Sequence, residues 1–210
     1  MRPPVSATPR SKEAFGFAAT DRLYLCQQNV RKYHPHFDRV LADILRGDSQ
    51  GIIGIIADEH QTITDMLMAR LRAAMPDVAD RLRVIGRLER EPYLELVAAA
   101  DVVLDTPHYG GGANTVLDAV AAGAPVVTWP SPYHRGRWAA AVNRQLGLDE
   151  LNVANLADYA ATAIRVASNV EQRRLIYDQI TSRGTDLFEN AAVVNEWQEW
   201  LLSAANNARL

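Results

Sequence analysis

The residues best suited to chemistry lie in a glycine-rich loop that is followed by two polar side chains. Gly110, Gly111 and Gly112 come just before Asn114 and Thr115. Because glycine has no Cβ atom, a bulky phosphate can approach the backbone of such a loop. A helix that begins at Asn114 or Thr115 would add unpaired N–H groups and the positive end of its dipole. The loop is therefore predicted to hold a diphosphate, with both polar side chains capping the helix or donating to the same oxygens.

The pattern around the loop predicts the elements that position it. An apolar run over residues 102–104 ends at Asp105, residues 113–122 have the pattern of a helix closed by Gly123, and a second apolar run covers residues 126–129. This order is a βαβ unit of a parallel sheet, in which ligands bind at the carboxyl ends of the strands. Since the motif is neither the dinucleotide fingerprint nor a Walker loop, a tight βα turn without a ligand remains the alternative.

A second segment brings a lysine towards the same edge of the sheet. Residues 23–27 are predicted to form a strand, and Asn29 and Lys32 follow its carboxyl end. In a parallel sheet Lys32 would lie near the glycine loop, where it could meet a phosphate as a point charge. A solvated loop lysine is the alternative.

A third segment has residues that suit a flat base. Leu88, Arg90 and Tyr93 follow a predicted strand over residues 82–85. An aromatic ring and a guanidinium group each offer a face on which a base can stack. Arginines on such loops are otherwise simply solvated.

Hydrophobic periodicity predicts the remaining elements. An uninterrupted apolar run over residues 51–57 is typical of a central parallel strand. Helices are predicted over residues 35–47, 62–75, 157–168, 171–183 and 193–205. Met66 is expected among the core positions of the second helix, and Trp197, Trp200 and Leu201 on a packing face of the last one.

Composition excludes several classes of function. The 210 residues include 25 acidic and 22 basic side chains, a formal charge of -3, which gives no electrostatic case for binding nucleic acid or an anionic membrane. The single cysteine, Cys26, excludes an internal disulfide, and its apolar surroundings predict a buried thiol. Because no apolar run has the length of a membrane span and no signal pattern is found, a soluble cytoplasmic protein is predicted.

The histidines show no metal-binding motif in the sequence. Five are scattered along the chain, without H-E-x-x-H spacing, a cysteine pair or an acidic cluster, so no metal site is expected. His34 and His36 flank Pro35 and are interpreted as turn and helix-start residues. His108, close before the glycine loop, is retained as a candidate residue of the ligand site.

Three segments carry a family resemblance: YLCQQNVRKYHPHFD, ADVVLDTPHYGGGANTVLDAVAAGAPVVTWP and RGRWAAA. In these segments the sequence resembles the O-GlcNAc transferase/SPINDLY family of glycosyltransferases, especially its bacterial members. That family has the GT-B architecture of two facing Rossmann-like domains, usually preceded by tetratricopeptide repeats. The resemblance implies an α/β fold, with residues 11–210 as the carboxyl-terminal, nucleotide-sugar-binding half and residues 1–10 as a linker or boundary segment.

The resemblance also implies roles around the donor phosphates. Lys32 stands where the family has its donor-phosphate lysine, which makes it the candidate catalytic residue, and Asn29 stands where the family often has glutamine. Asn114 and Thr115 match the helix-start residues that hold the diphosphate, next to the cradle of Gly111 and Gly112.

Further roles are implied around the nucleoside. Leu88, through its backbone, and Arg90 would line the uridine slot, and Tyr93 would stack on the base. Asp118 matches the acid that binds the ribose hydroxyls. Without the resemblance, Asp118 would pass for an ordinary acid that complements the helix dipole.

The implied function is that of the donor-binding domain of a protein O-glycosyltransferase. Its donor is expected to be a UDP-sugar, UDP-GlcNAc, and its acceptors Ser and Thr hydroxyls of proteins. No cofactor or metal is expected. The acceptor would be held by an N-terminal catalytic half and repeats absent from this chain, so the isolated chain is expected to be inactive. The alternatives are a nucleotide-sugar epimerase-like enzyme and a non-catalytic scaffold.

Overall fold

A five-stranded parallel sheet organises the structure. The computed structural model describes residues 2–6, 8–188 and 190–207. The strands, in chain order, are β1 Arg22–Cys26, β2 Gly51–Ile56, β3 Leu82–Ile85, β4 Val102–Leu104 and β5 Val126–Val127. Their order in the sheet is β3-β2-β1-β4-β5, with every neighbouring pair parallel. The predicted Rossmann-like α/β fold is confirmed.

The helices cover both faces of this sheet. They are α1 Pro35–Gly47, α2 Gln61–Ala74, α3 Arg90–Ala99, α4 Gly112–Ala122, α5 Trp138–Leu146, α6 Tyr159–Ser168, α7 Val170–Arg183, α8 Thr185–Phe188 and α9 Ala191–Asn207. From β1 to β3 the chain moves across the sheet in one direction, and from β3 to β5 it moves in the other. Since parallel crossovers are right-handed, α1 and α2 lie on one face and α3 and α4 on the other.

The reversal of direction sets the place of the ligand site. β1 and β4 are neighbours, but their crossovers lie on opposite faces, so a crevice opens beyond their carboxyl ends. Ligands of doubly wound sheets bind at this switch point. The segments after β1 and β4 are those that carry Lys32 and the glycine loop.

Local sequence explains where α1 and α4 begin and end. Pro35 occupies the first turn of α1, where its fixed φ and missing N–H suit a helix start. Gly123 ends α4 at a φ of 73°, a left-handed conformation that favours glycine. The strands between them are almost wholly buried, with β1 residues Leu23 and Cys26 at 0% exposure.

Two predictions about packing are wrong. Met66, expected in the core, is 66% exposed on α2, whereas Leu67 and Leu71 of the same helix are buried. On α9, Trp197 and Trp200 are 60% and 61% exposed, so the expected packing face does not pack. Helical spacing identifies the apolar positions but not whether another element covers them.

The amino-terminal segment contacts α4. Arg2 Nη2 donates a hydrogen bond of 3.2 Å to Ala121 O, and Val5 packs against the core. None of the helices within the described ranges is both long and apolar enough to cross a membrane.

Candidate functional site

The end of β1 is tied to the first turn of α4. Gln27 Nε2 donates to Thr115 O at 2.8 Å, and Gln28 Nε2 donates to Thr115 Oγ1 at 3.3 Å. These bonds close the crevice between β1 and β4 at its base. The glycine loop lies on top of them.

The amino terminus of α4 differs from the predicted one. The helix begins at Gly112, and its cap residue Gly111 receives no side-chain cap bond. Thr115 does not cap the helix, because its hydroxyl donates back to Gly111 O at 2.6 Å. Asn114 is exposed in the first turn. The unpaired N–H groups expected at Asn114 and Thr115 therefore lie about one turn earlier, in the glycine loop itself.

Gly111 leaves no room for a side chain. A Cβ atom there would collide with Gln28 Nε2 and with Thr115 Oγ1. Gly112 adopts a φ of 72°, which a side chain disfavours. Both glycines are thus required by this loop conformation, whatever it binds.

Lys32 reaches into the glycine loop. Its Nζ donates to Gly110 O at 3.1 Å and lies 5.0 Å from the centre of the Tyr109 ring. Burial lowers the pKa of Lys32, and the nearby Asp105 acts in the opposite direction. Asn29 caps the short turn before Lys32, since its side chain accepts from Arg31 N at 3.0 Å.

Asp105, which the sequence analysis treated only as the end of a strand, organises this loop. Its carboxylate accepts hydrogen bonds from Gly111 N at 2.6 Å and from Thr128 Oγ1 at 2.7 Å. Burial raises the pKa of Asp105, against the effect of these two donors. Tyr159 fixes its backbone by donating to Asp105 O at 2.9 Å. Its signal in the sequence was an acid at the end of a strand directly before a glycine loop.

Arg90 and Asp118, predicted to bind different parts of a nucleoside, bind each other. Two Arg90 nitrogens donate to the two Asp118 oxygens at 2.7 and 2.5 Å. Asp118 is buried, whereas the Arg90 side chain is 56% exposed. The Arg90 guanidinium also lies 5.7 Å from the Tyr93 ring, and Tyr93 Oη donates to Gln27 Oε1 at 2.9 Å. Leu88 packs partly buried against the core.

The predicted residues therefore line two cavities on either side of the α4 amino terminus. One, of about 660 Å³, is lined by Asn29, Lys32, His108 and others. A second, of about 350 Å³, is lined by Arg90, Asn114 and Asp118 together with Phe188. Gly111, Gly112 and Thr115 belong to the loop and helix start between them, while Tyr93 and Leu88 are partly buried.

Three histidines that look scattered in the sequence meet beside the larger cavity. His36 Nδ1 lies 3.1 Å from His108 Nε2, and the ring centres of His34 and His108 are 4.3 Å apart. His108 has a φ of 67°. Burial lowers the pKa of His108, and the positive charges of His34, His36 and Arg135 add to this effect.

A family model decides where this chain belongs. The model described as glycosyl transferase family 41 matches residues 21–195. The chain belongs to glycosyl transferase family 41. None of the curated proteins compared with it matches.

Solved structures share the fold of this family 41 chain. An O-GlcNAc transferase mutant from Thermobaculum terrenum has a TM-score of 0.77 and 22% identity over 89% of the chain, which spans 36% of that structure. S. aureus TarM, in complex with fondaparinux, α-GlcNAc-glycerol and UDP, has 0.64 and 12% over 95%, spanning 37%. A trehalose 6-phosphate synthase from Burkholderia multivorans has 0.63 and 17% over 94%, spanning 45%. The family 41 chain thus has the Rossmann-like fold of one GT-B half and less than half the length of each.

The arrangement suits an anionic ligand. Lys32 and Arg135 line the larger cavity, and the amino terminus of α4 adds partial positive charge beside them. Arg90 places a third cation on the smaller side. A diphosphate over the glycine loop would face positive charge from both cavities.

Proposed function

We propose that this family 41 chain is the donor-binding domain of a protein O-glycosyltransferase. Its donor is a UDP-sugar, UDP-N-acetylglucosamine, and the sugar is transferred onto Ser and Thr hydroxyls of acceptor proteins. The observation that supports this most is Lys32, which sits 3.1 Å from Gly110 O within the glycine loop at the switch point. A lysine and a helix amino terminus together suit a diphosphate.

The chemical role of this half is to stabilise the leaving group. In the transfer, the bond between the sugar C1 and the phosphate oxygen breaks while the acceptor oxygen bonds to C1. The acceptor's proton goes to a base outside this chain. Negative charge grows on the departing UDP, where Lys32 and the α4 N–H groups are already oriented to meet it. We propose that this step uses no metal ion.

The nucleoside would bind on the side of Arg90 and Asp118. Ribose hydroxyls can donate to the Asp118 carboxylate in place of one Arg90 nitrogen, because each carboxylate oxygen accepts more than one hydrogen bond. The base would then stack near Tyr93, whose hydroxyl is fixed by Gln27. His108 and Asn29 would complete the phosphate side.

The chain alone is proposed to bind donor without transferring sugar. It spans 36% of the O-GlcNAc transferase structure, and a second GT-B half is needed to close a cleft around the donor. The acceptor partner would contact that other half and any repeats before it.

The decisive test is a calorimetric titration of this chain with UDP, with ADP and GDP as controls. We expect selective UDP binding. Asp118→Ala should weaken it by about 10- to 100-fold, the effect of losing a hydrogen bond to a charged group. Asp65→Ala removes an exposed acid from α2 and should leave the affinity unchanged. Equal binding of all three nucleotides, or equal affinity in the Asp118 variant, would refute the proposed donor site.

A further inference from the structure

Three histidine side chains converge at one edge of the larger cavity. His34 and His36 stand at the start of α1, and His108 comes just before the glycine loop, so the sheet brings together residues more than 70 positions apart. One ring nitrogen from each lies within 4.8 Å of the other two. His34 and His108 are half-buried, and His36 is exposed.

Hydrogen bonding among the rings does not account for this arrangement. Two neutral imidazoles share one hydrogen bond, which His36 and His108 make at 3.1 Å. The three rings are tilted by 57° to 76° instead of stacking in parallel. His108 is also the one non-glycine residue with a positive φ in the described part of the chain, a conformation that persists where the surroundings impose it.

We propose that His34, His36 and His108 form a binding site for one zinc-class transition-metal ion. Zinc binds imidazole nitrogen at about 2.0–2.1 Å, so two nitrogens of a tetrahedral site lie roughly 3.3 Å apart. The pair His36 and His108 already has nearly this spacing, at 3.1 Å. The third nitrogen, within 4.8 Å, reaches it by a small rotation of a partly exposed side chain.

The ligand set determines the class of metal. Three neutral nitrogens without a carboxylate suit Zn²⁺, Ni²⁺ or Cu²⁺ and do not suit Mg²⁺ or Ca²⁺, which prefer oxygen. Lys32 and Arg135 line the same cavity and oppose a bare cation. The fourth coordination position is therefore expected to hold an anion, which neutralises part of the charge that the metal adds.

Metal binding would replace one local contact. His34 Nδ1 accepts a hydrogen bond of 3.2 Å from His36 N, which caps α1. Ligation through Nδ1 uses that lone pair, and ligation through Nε2 moves the ring proton to Nδ1, so the cap bond is lost in either case. In exchange, the ion would link the start of α1 to the segment that leads into the glycine loop. This site is separate from the transfer step proposed above, which uses Lys32.

The test uses the untagged 210-residue chain after removal of metals with a chelator. Titration with Zn²⁺ is expected to show one ion per chain, and Co²⁺ to give the intense visible absorption of a tetrahedral site. His36→Ala, an exposed change on α1, should weaken zinc at least about 100-fold and abolish the cobalt band. His60→Ala removes an exposed histidine elsewhere and should change neither.

A second variant separates loss of a ligand from loss of the fold. His108→Asn keeps a residue type that tolerates positive φ, and far-UV circular dichroism should show an unchanged fold without the cobalt band. Failure of the wild type to bind Zn²⁺, or equal binding by wild type, His36→Ala and His108→Asn, would overturn the proposal.

Discussion

Lys32 is the residue on which the proposed transfer step depends most. A phosphate oxygen would replace its neutral partner, Gly110 O, so the interaction strengthens as charge grows on UDP. We expect Lys32→Ala to lower the turnover of the complete enzyme by about 10²- to 10³-fold, the effect of losing one preorganised donor. UDP affinity of the present chain should fall less, because the base and ribose contacts remain.

The comparison needs steady-state kinetics on the complete enzyme and calorimetry on this chain. Arg39→Ala, which removes an exposed cation from α1, is the matched control and should alter neither quantity. Unchanged turnover in the Lys32 variant would remove this residue from the mechanism.

Asp105 is a buried acid whose charge opposes folding. Burial raises the pKa of Asp105 above its ordinary value. Such a carboxyl stabilises the folded state fully below its unfolded-state pKa, about 3.9, and this contribution is lost as the pH rises through the folded-state pKa. Asp105→Asn keeps an oxygen that can accept from Gly111 N but has no charge to desolvate.

The difference in unfolding free energy, wild type minus Asp105→Asn, should therefore decrease between about pH 4 and pH 7. Urea unfolding at several pH values measures it. The same difference for Asp65→Asn, at an exposed position on α2, should stay constant. If the Asp105 difference is also constant, the buried charge has no influence on folding.

At the scale of elements, the start of α4 depends on a glycine that fits between two side chains. In Gly111→Ala the new methyl group would meet the Gln28 amide and the Thr115 hydroxyl. Such overpacking typically destabilises a protein by about 1–3 kcal/mol. Because the same shift displaces the N–H groups of the loop, UDP affinity should fall with it.

Gly86→Ala is the matched control, since a Cβ atom at this position would have no other atom within 4 Å and the φ of Gly86 is not positive. It should change stability by less than about 0.5 kcal/mol. Thermal unfolding and UDP titration of both variants decide the matter. Equal behaviour would mean that the loop yields without loss.

Local patterns predicted the elements because hydrophobic periodicity reflects burial on one face of a helix or both faces of a strand. α1 and β3 have the predicted bounds, and Lys32 was correctly placed beside the glycine loop. The role of Asp105 was missed, since an acid after a strand does not reveal that a loop will fold over it. The histidine cluster was missed because it depends on which strands are neighbours, which no local spacing encodes.

At the scale of the whole molecule, α9 presents an uncovered apolar face. Trp197 and Trp200 are 60% and 61% exposed, and their rings meet edge to face at 5.8 Å. Leu201 and Leu202 are more than half exposed on the same helix. Exposed apolar patches of this kind are commonly covered by a partner. For the chain alone in solution, the available partner is a second copy.

We therefore expect the chain to self-associate, with a weight-average mass that rises with concentration in sedimentation velocity. The double variant Trp197→Gln, Trp200→Gln should remain monomeric at concentrations where the wild type associates, because a buried tryptophan withdraws about 150–250 Å² from water. Both positions are exposed, so the fold should not suffer. Met66→Gln, an exposed apolar position on α2, should associate like the wild type. If all three proteins are monomeric, or associate equally, the face of α9 does not drive association.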